Sequence, residues 1–170
     1  LMAVMADSDS MQKPEGVQRV ADFLQKAGHT HQPIMLADAA RTAQQAADAL
    51  RVELGQIAKS IIFRRKSDDA AVLVITSGDK RVDEAKVQAL VCEGTAKLGR
   101  ADADFVKSKT GFTIGGVAPV AHLSPPVTLL DQELFRFQTI WAAAGHPHAV
   151  FEVTPAALQA LSQAPVADVV

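Results

Sequence analysis

Residues 60–76 read SIIFRRKSDDAAVLVIT, two runs of strand-forming residues on either side of a short polar segment. The runs SIIFRR and AAVLVIT are rich in isoleucine, valine and other residues that fit a pleated, half-buried surface. The segment between them, KSDD, has the polar composition of a turn. The stretch therefore predicts two neighbouring strands joined by a polar turn.

Upstream of this stretch the pattern is mainly helical. Apolar residues recur with helical spacing from Val17 to Ala27, and Gly28 follows as a stop signal. HQPIML, residues 31–36, is typical of a short strand. Thr42 stands where a side chain caps a helix, and it precedes the alanine-rich segment AQQAADAL.

Downstream, helices and strands follow in irregular order. EAKVQALV, residues 84–91, predicts a helix after the turn SGDKRVD, and Asp102 or Asp104 starts another short helix that ends at Gly111. VTLLD and HAVFEV predict strands. Thr154 then caps a last helix with Pro155 at its first position, where the missing N–H does no harm.

This order of elements favours one α+β domain. Helices and strands do not alternate as a parallel α/β sheet requires, so we expect an irregular, mostly antiparallel sheet flanked by helices. A chain of 170 residues is long enough to bury a core of its own. We interpret residues 1–15 as a loose N-terminal leader, too short and too acidic for a signal peptide, and residues 16–165 as the domain.

Composition excludes several classes of function. The net charge of −2 argues against a protein that coats DNA, and no run of apolar residues is long enough to span a membrane. Residues 59–109 hold 11 Lys and Arg against 8 acidic residues. This basic section is either a solvated mixed surface or a face for a partner with a few phosphates. A single cysteine suits a cytoplasmic location.

The common catalytic motifs are absent. The sequence has no G-x-S-x-G elbow, no phosphate-binding P-loop, no H-E-x-x-H motif and no Rossmann glycine pattern. Cys92 lies beside apolar neighbours, which favours packing over a nucleophilic role. His29/His31 and His146/His148 form two His-x-His pairs, but no Cys or carboxylate cluster completes a zinc site. We therefore predict no metal and no cofactor.

Three segments remain as candidates for chemistry. Lys59 in GQIAKSIIF is either a lysine that reaches past apolar surface to solvent or a fixed cation for a phosphate or carbonyl oxygen. The stretch TGFTIGGVAPVAHLSPP, residues 110–126, is either a tight turn or a loop whose glycines let the backbone approach a ligand. In AAAGHPHAVFEV, residues 142–153, a Gly/Pro turn delivers His148 to a strand.

The three segments, in this order and spacing, closely resemble the YbaK/prolyl-tRNA synthetase editing-domain family. The resemblance covers roughly residues 17–163 and includes the alanine-rich helix before the lysine. It implies a compact α+β domain with a mixed, barrel-like sheet. It also implies hydrolysis of wrongly charged tRNA, chiefly tRNA for proline carrying cysteine, alanine or another small amino acid.

The resemblance assigns the functional residues one by one. The family lysine is Lys59 and the Gly-x-x-x-Pro loop is Gly115 to Pro119, with Gly115 and Gly116 in catalysis. The side chains that meet the substrate are then expected in this loop: Ile114, Val117, Ala118 and Pro119. The family histidine is His148, with His146 as the weaker match.

The implied chemistry needs neither a protein nucleophile nor a metal. An aminoacyl ester is already reactive, so positioning, a water and backbone N–H groups that stabilise the oxyanion suffice. The implied partner is the acceptor end of a mischarged tRNA, and a prolyl-tRNA synthetase stays open as a second partner. Two alternatives remain: a non-catalytic module that binds a nucleotide or amino acid and regulates a synthetase, and a histidine-based metal hydrolase.

Overall fold

The computed structural model describes residues 13–37 and 40–170, and a mixed sheet of eight strands is its largest element. Residues 1–12 of the proposed leader lie outside the described part. The strands are β1 (Ile34–Met35), β2 (Ile57–Arg65), β3 (Ala70–Ser77), β4 (Leu98–Arg100), β5 (Val127–Asp131), β6 (Ile140–Ala143), β7 (Ala149–Val153) and β8 (Val166–Ala167).

The sheet is open and runs in the order β1-β7-β6-β2-β3-β5-β8, with β4 beside β2. Strands β2 and β3 form the predicted pair, in register from Ala58–Ser77 to Arg65–Ala70. Among the described residues four pairings are antiparallel and three are parallel. The α+β class and the mixed sheet are thus confirmed. The barrel-like expectation is corrected in one respect, because β1 and β8 are free edges and the sheet does not close.

Five α-helices flank this sheet in the described part of the chain. They are α1 (Glu15–Lys26), α2 (Ala43–Leu50), α3 (Glu84–Val91), α4 (Ala103–Thr110) and α5 (Pro155–Ser162), with 3-10 turns at Leu54–Gln56 and Gln132–Arg136. Thr42 caps α2 and accepts a hydrogen bond from the Gln45 backbone, as the sequence predicts. Asp102 caps α4 and Thr154 caps α5 in the same way. None of these helices is long and apolar enough to cross a membrane.

The two faces of the sheet carry separate cores. Leu73 and Ile75 of β3 point to the larger core, which includes side chains from α1, α4 and α5. Val72 and Val74 point to the opposite face, where α3 and the C-terminal residues cover them. Helix α2 packs on this second face over the start of β2. This alternation follows from the two-residue period of a strand. On the second face Lys59 lies between Ile57, which packs with α2, and Ile61, which packs against the cluster under α3.

A buried carboxylate fixes the turn after β3. Asp131 is fully buried and accepts hydrogen bonds from the Thr76 hydroxyl at 2.8 Å and the Ser77 backbone at 3.1 Å. The Ser77 hydroxyl donates to the Gly55 carbonyl and lies beside Asp79. The network therefore joins β5, the end of β3 and the turn before β2.

We expect Asp131→Ala to lower the free energy of unfolding by about 3 kcal/mol, because it leaves buried donors of Thr76 and Ser77 without a partner. Urea unfolding followed by circular dichroism measures the change. Asp168→Ala is the matched control, since Asp168 is an exposed carboxylate that pairs with Lys86 at 3.0 Å and such pairs contribute little. Equal losses in the two variants would contradict the role given to the buried network.

Candidate active site

A cavity of about 410 Å³ lies beside the middle of β2. One edge of β2 pairs with β3 over nearly its whole length. On the other edge Ile57 and Ala58 pair with β6, and residues 63–65 pair with β4. Residues 59–62 have no strand beside them on that edge within the described chain. The cavity occupies this gap in the sheet.

The gap exposes backbone groups of β2 to the cavity. The Lys66 amide, at the end of β2, donates to the Lys97 carbonyl on the β4 side. Backbone groups of alternate residues point to the same edge of a regular strand, and β2 runs against β3 without a bulge. The amides and carbonyls of Ser60 and Ile62 therefore face the gap, where they can bind a ligand.

The cavity has two parts, one on each face of the sheet. Ser60 and Ile62 lie on the face of the larger core and line the cavity together with Ala101, Val106 and Val117. Ile57, Lys59 and Trp141 belong to the opposite face, and they line the cavity together with residues at the start of α2. A ligand in the gap can therefore place chemically different groups on the two faces.

Lys59 is the half-buried cation of this site, and the exposed Arg41, just before α2, is a second cation that lines the cavity. The Lys59 ammonium donates a hydrogen bond of 2.7 Å to the Lys80 carbonyl in the turn after β3. No carboxylate of residues 13–37 or 40–170 lies within ion-pairing distance of this ammonium. The Lys80 carbonyl holds the side chain in place without neutralising it, so the charge stays available to an anionic ligand.

The glycine-rich loop forms the wall opposite β2. Ile114, Gly115 and Val117 line the cavity, and Gly115 has φ +91°, a conformation that favours glycine. Gly116 is buried against the next turn, where an added Cβ would lie 2.9 Å from the His146 Cα. Ala118 and Pro119 are also buried and are not among the lining residues. Three of the six predicted loop residues thus line the cavity, and Gly116, Ala118 and Pro119 pack behind them.

The histidine turn places His146, rather than His148, at the cavity. The two rings form an edge-to-face pair with centroids 5.2 Å apart. The His148 amide donates to His146 Nδ1 at 3.1 Å, so the neutral His146 ring carries its proton on Nε2. His148 itself lies just before β7, and its carbonyl accepts a hydrogen bond from the Leu36 amide. The placement favours His146 as the ring that meets a ligand.

Close backbone packing fixes this turn. Gly145 has φ +94°, and a Cβ there would lie 2.5 Å from the Gly16 carbonyl carbon of α1. Gly116 approaches the other side of the same turn at His146. The turn is thus held between α1 and the glycine-rich loop, because side chains are absent at all three glycine positions.

Arg19 and His122 hold the glycine-rich loop and were not predicted as site residues. Arg19 of α1 donates to the carbonyls of Thr110 at 2.9 Å and Ala121 at 2.8 Å. The His122 ring makes a hydrogen bond of 2.7 Å to the Ala118 carbonyl, inside the loop. Burial lowers the pKa of His122; the hydrogen bond to Ala118 opposes this shift, and the Arg19 charge adds to it. The neutral ring is therefore the favoured form.

Ser60 is a second group that the sequence did not single out. Its Oγ is buried with no hydrogen-bond partner in the described chain, although the residue lines the cavity. A hydroxyl in such a place is costly unless a ligand or water satisfies it. The sequence feature that could have pointed to Ser60 is its position between Lys59 and the apolar Ile61 in a strand segment.

The remaining candidates lie away from this cavity. His29 and His31 border a separate shallow pocket with Glu152, whose carbonyl lies 2.8 Å from His29 Nε2. No group of three potential metal ligands occurs in the described residues. Cys92 is only half-buried, at the C-terminal end of α3, and does not line the cavity.

Comparisons with known proteins point to one family. The sequence pattern of the aminoacyl-tRNA editing domain matches residues 37–161. The uncharacterized protein YwhH of Bacillus subtilis (strain 168) is 35% identical over 121 residues, 71% of this chain and 74% of that protein. The proline--tRNA ligase of Leuconostoc citreum (strain KM20) is 30% identical over 76% of this chain, which spans 23% of that ligase. A crystal structure described as a "putative trans-editing enzyme for prolyl tRNA synthetase" has a TM-score of 0.85 and 38% identity, covering 93% of this chain and 98% of that one.

The lowered pKa of His122 predicts a pH dependence of stability. In the unfolded chain this ring binds a proton below about pH 6.5, whereas in the folded chain burial disfavours that proton. The stabilisation is therefore present above pH 6.5 and is lost as the pH falls toward the lower, folded pKa. His122→Gln keeps a donor for the Ala118 carbonyl but does not titrate.

We expect the melting temperature of the parent protein to fall more steeply between pH 7.5 and 5.5 than that of His122→Gln. Both proteins share the carboxylates and the other histidines, so the contributions of these groups to the pH dependence cancel in the comparison. Parallel pH profiles would show that the His122 proton does not contribute to stability.

Proposed function

The chain belongs to the aminoacyl-tRNA editing domain family, and on that premise we propose that it hydrolyses the ester of a mischarged tRNA in trans. The substrate we propose is tRNA for proline that carries cysteine, alanine or another small amino acid. The proposal agrees with the description of its structural relative. The observation that carries it is the cavity at the gap in β2, which combines free backbone groups, an unneutralised lysine and apolar walls.

The two parts of the cavity suit the two halves of an aminoacyl-nucleotide. The part next to Ser60 is enclosed by Ile62, Val106 and Val117, and it would receive the amino acid side chain. Branched apolar walls there favour a small, uncharged group. The opposite part carries Lys59 and would receive the terminal nucleotide, whose phosphate the ammonium can bind.

Selection of the amino acid by size in this pocket would correct an error that a synthetase cannot avoid. A synthetase pocket rejects an amino acid that is one methylene smaller by only about 1–3 kcal/mol. A second pocket that admits only the smaller side chain removes the error. In this chain that limit would be set by Val117 of the glycine-rich loop and Val106 of α4.

The proposed hydrolysis uses positioning rather than a protein nucleophile. A water oxygen attacks the ester carbon, the bond to the ribose oxygen breaks, and a proton passes to that oxygen. The free amino acid and the tRNA with its terminal hydroxyl are the products. A backbone N–H beside Gly115 or Ser60 would stabilise the developing negative charge. His146, with its proton on Nε2, would donate to the substrate, and Ser60 Oγ would gain its missing partner.

A panel of charged tRNAs tests this proposal. Purified protein is mixed with tRNA for proline charged with alanine, cysteine, serine or proline, and the release of each amino acid is measured. We expect many turnovers per protein molecule on at least one small amino acid and the slowest release of proline. Binding without turnover on every member would instead favour a module that regulates a synthetase. Loss of activity with a chelator would favour a metal hydrolase.

We expect Lys59→Met to reduce kcat/KM at least a hundredfold while the protein stays folded, because a positioned charge contact contributes about 2–4 kcal/mol to the transition state. Methionine keeps the apolar stem that packs on the sheet and removes only the ammonium. Deacylation rates beside thermal melting measure the effect. Lys97→Met, at an exposed lysine outside the cavity, is the control. A Lys59→Met protein with full activity would contradict the assignment.

A further inference from the structure

Trp141 is the one tryptophan of the chain, and it lies at the cavity. The residue belongs to β6, where it is half-buried and pairs with Ile57 at the start of β2. Its ring packs against the small cluster formed by Ala46, Ala47 and Ile57. One side of the indole is therefore supported by the fold, while the residue also borders the cavity.

Trp141 shares its part of the cavity with Lys59. Ile57 and Lys59 are two residues apart on β2 and so point to the same face of the sheet, and Trp141 is the register partner of Ile57. Ala43 and Ala46 line the cavity beside it, which leaves room next to a large flat ring. In the described chain no other aromatic ring stacks on the indole.

The cavity has room for a ligand larger than a small amino acid. A volume of about 410 Å³ falls within the range that holds drug-sized ligands, roughly 300–1,000 Å³. An alanyl or cysteinyl group in the Ser60 part fills only a fraction of it. The remainder, on the Trp141 side, is lined by an aromatic ring, alanines, Thr42 and two cations, Lys59 and Arg41. Such a surface suits a flat base followed by a phosphate.

We propose that Trp141 is the platform on which the terminal base of the tRNA stacks. This inference rests on the proposed function, because it gives the nucleotide half of that substrate its binding residue. The base lies against the indole, and the sugar reaches across the gap in β2. The backbone phosphate then lies toward Lys59. Stacking fixes the nucleotide, so the ester between sugar and amino acid is held at the gap.

Fluorescence of the parent protein tests the stacking directly. The chain has no tyrosine and one tryptophan, so emission excited at the red edge of the indole band reports on Trp141 alone. Adenosine 5′-monophosphate is titrated as the probe, with ribose 5-phosphate as the base-free comparison. We expect saturable quenching by the nucleotide and none by the sugar phosphate. Equal quenching by the two probes would overturn the inference, and so would the absence of quenching by both.

Variants test the same contact during hydrolysis. Trp141→Leu should raise KM for charged tRNA about tenfold and leave kcat near the parent value, since stacking a base on an aromatic ring contributes to binding. Trp141→Phe keeps an aromatic surface and should recover part of the affinity. Phe135→Leu is the control, because Phe135 is an exposed aromatic residue that does not line the cavity. A loss confined to kcat, or equal values for Trp141→Leu and Trp141→Phe, would make Trp141 a packing residue.

The two proposals fail in different ways. If the parent protein releases no amino acid but adenosine 5′-monophosphate quenches Trp141, the base platform stands and the deacylase does not. If release is efficient while quenching is absent and Trp141→Leu keeps the parental KM, the deacylase stands and the platform is refuted. Thermal melting of each variant separates either result from unfolding.

Discussion

The incomplete pairing of β2 is the constraint on which the site depends. A strand in the middle of a sheet normally satisfies its backbone on both edges, but β2 has β6 beside its first residues and β4 beside its last ones. Within residues 13–37 and 40–170 no strand pairs with the groups left between them, at Ser60 and Ile62, so these groups are open to water or a ligand. The fold thus creates a candidate binding site by leaving out a partner strand.

The other walls of the cavity depend on close contact between backbones. The turn at His146 is pressed between Gly16 of α1 and Gly116 of the glycine-rich loop, and no larger residue fits at these points. Arg19 ties both ends of that loop to α1. Loop, turn and helix therefore form one rigid unit facing β2. This rigidity is what a site that works by positioning requires.

Local signals in the sequence predicted most of the elements, and distant pairings were not predicted. Thr42, Asp102 and Thr154 act within one helical turn, so the starts of their helices could be derived from neighbouring residues. β4, β6 and β8 were missed because they are short, contain small residues and exist only through their partners. The candidate site residues Lys59 and Gly115 were predicted from the resemblance to the editing-domain family in motif order and spacing. The orphaned hydroxyl of Ser60 could not be foreseen, because it depends on which distant segments cover that face of β2.

The parallel pairing of β2 with β6 has a consequence for the order of folding. β2 and β3 are joined by a short turn and can pair early, at little cost in chain entropy. The pairs Ile57–Trp141 and Ala58–Ala142, by contrast, join segments far apart in the chain. Contacts of such long sequence separation slow folding and tend to form late. The cavity is also bordered by β6 and the histidine turn, so a nascent chain can complete this candidate site only after residues up to Val150 are available.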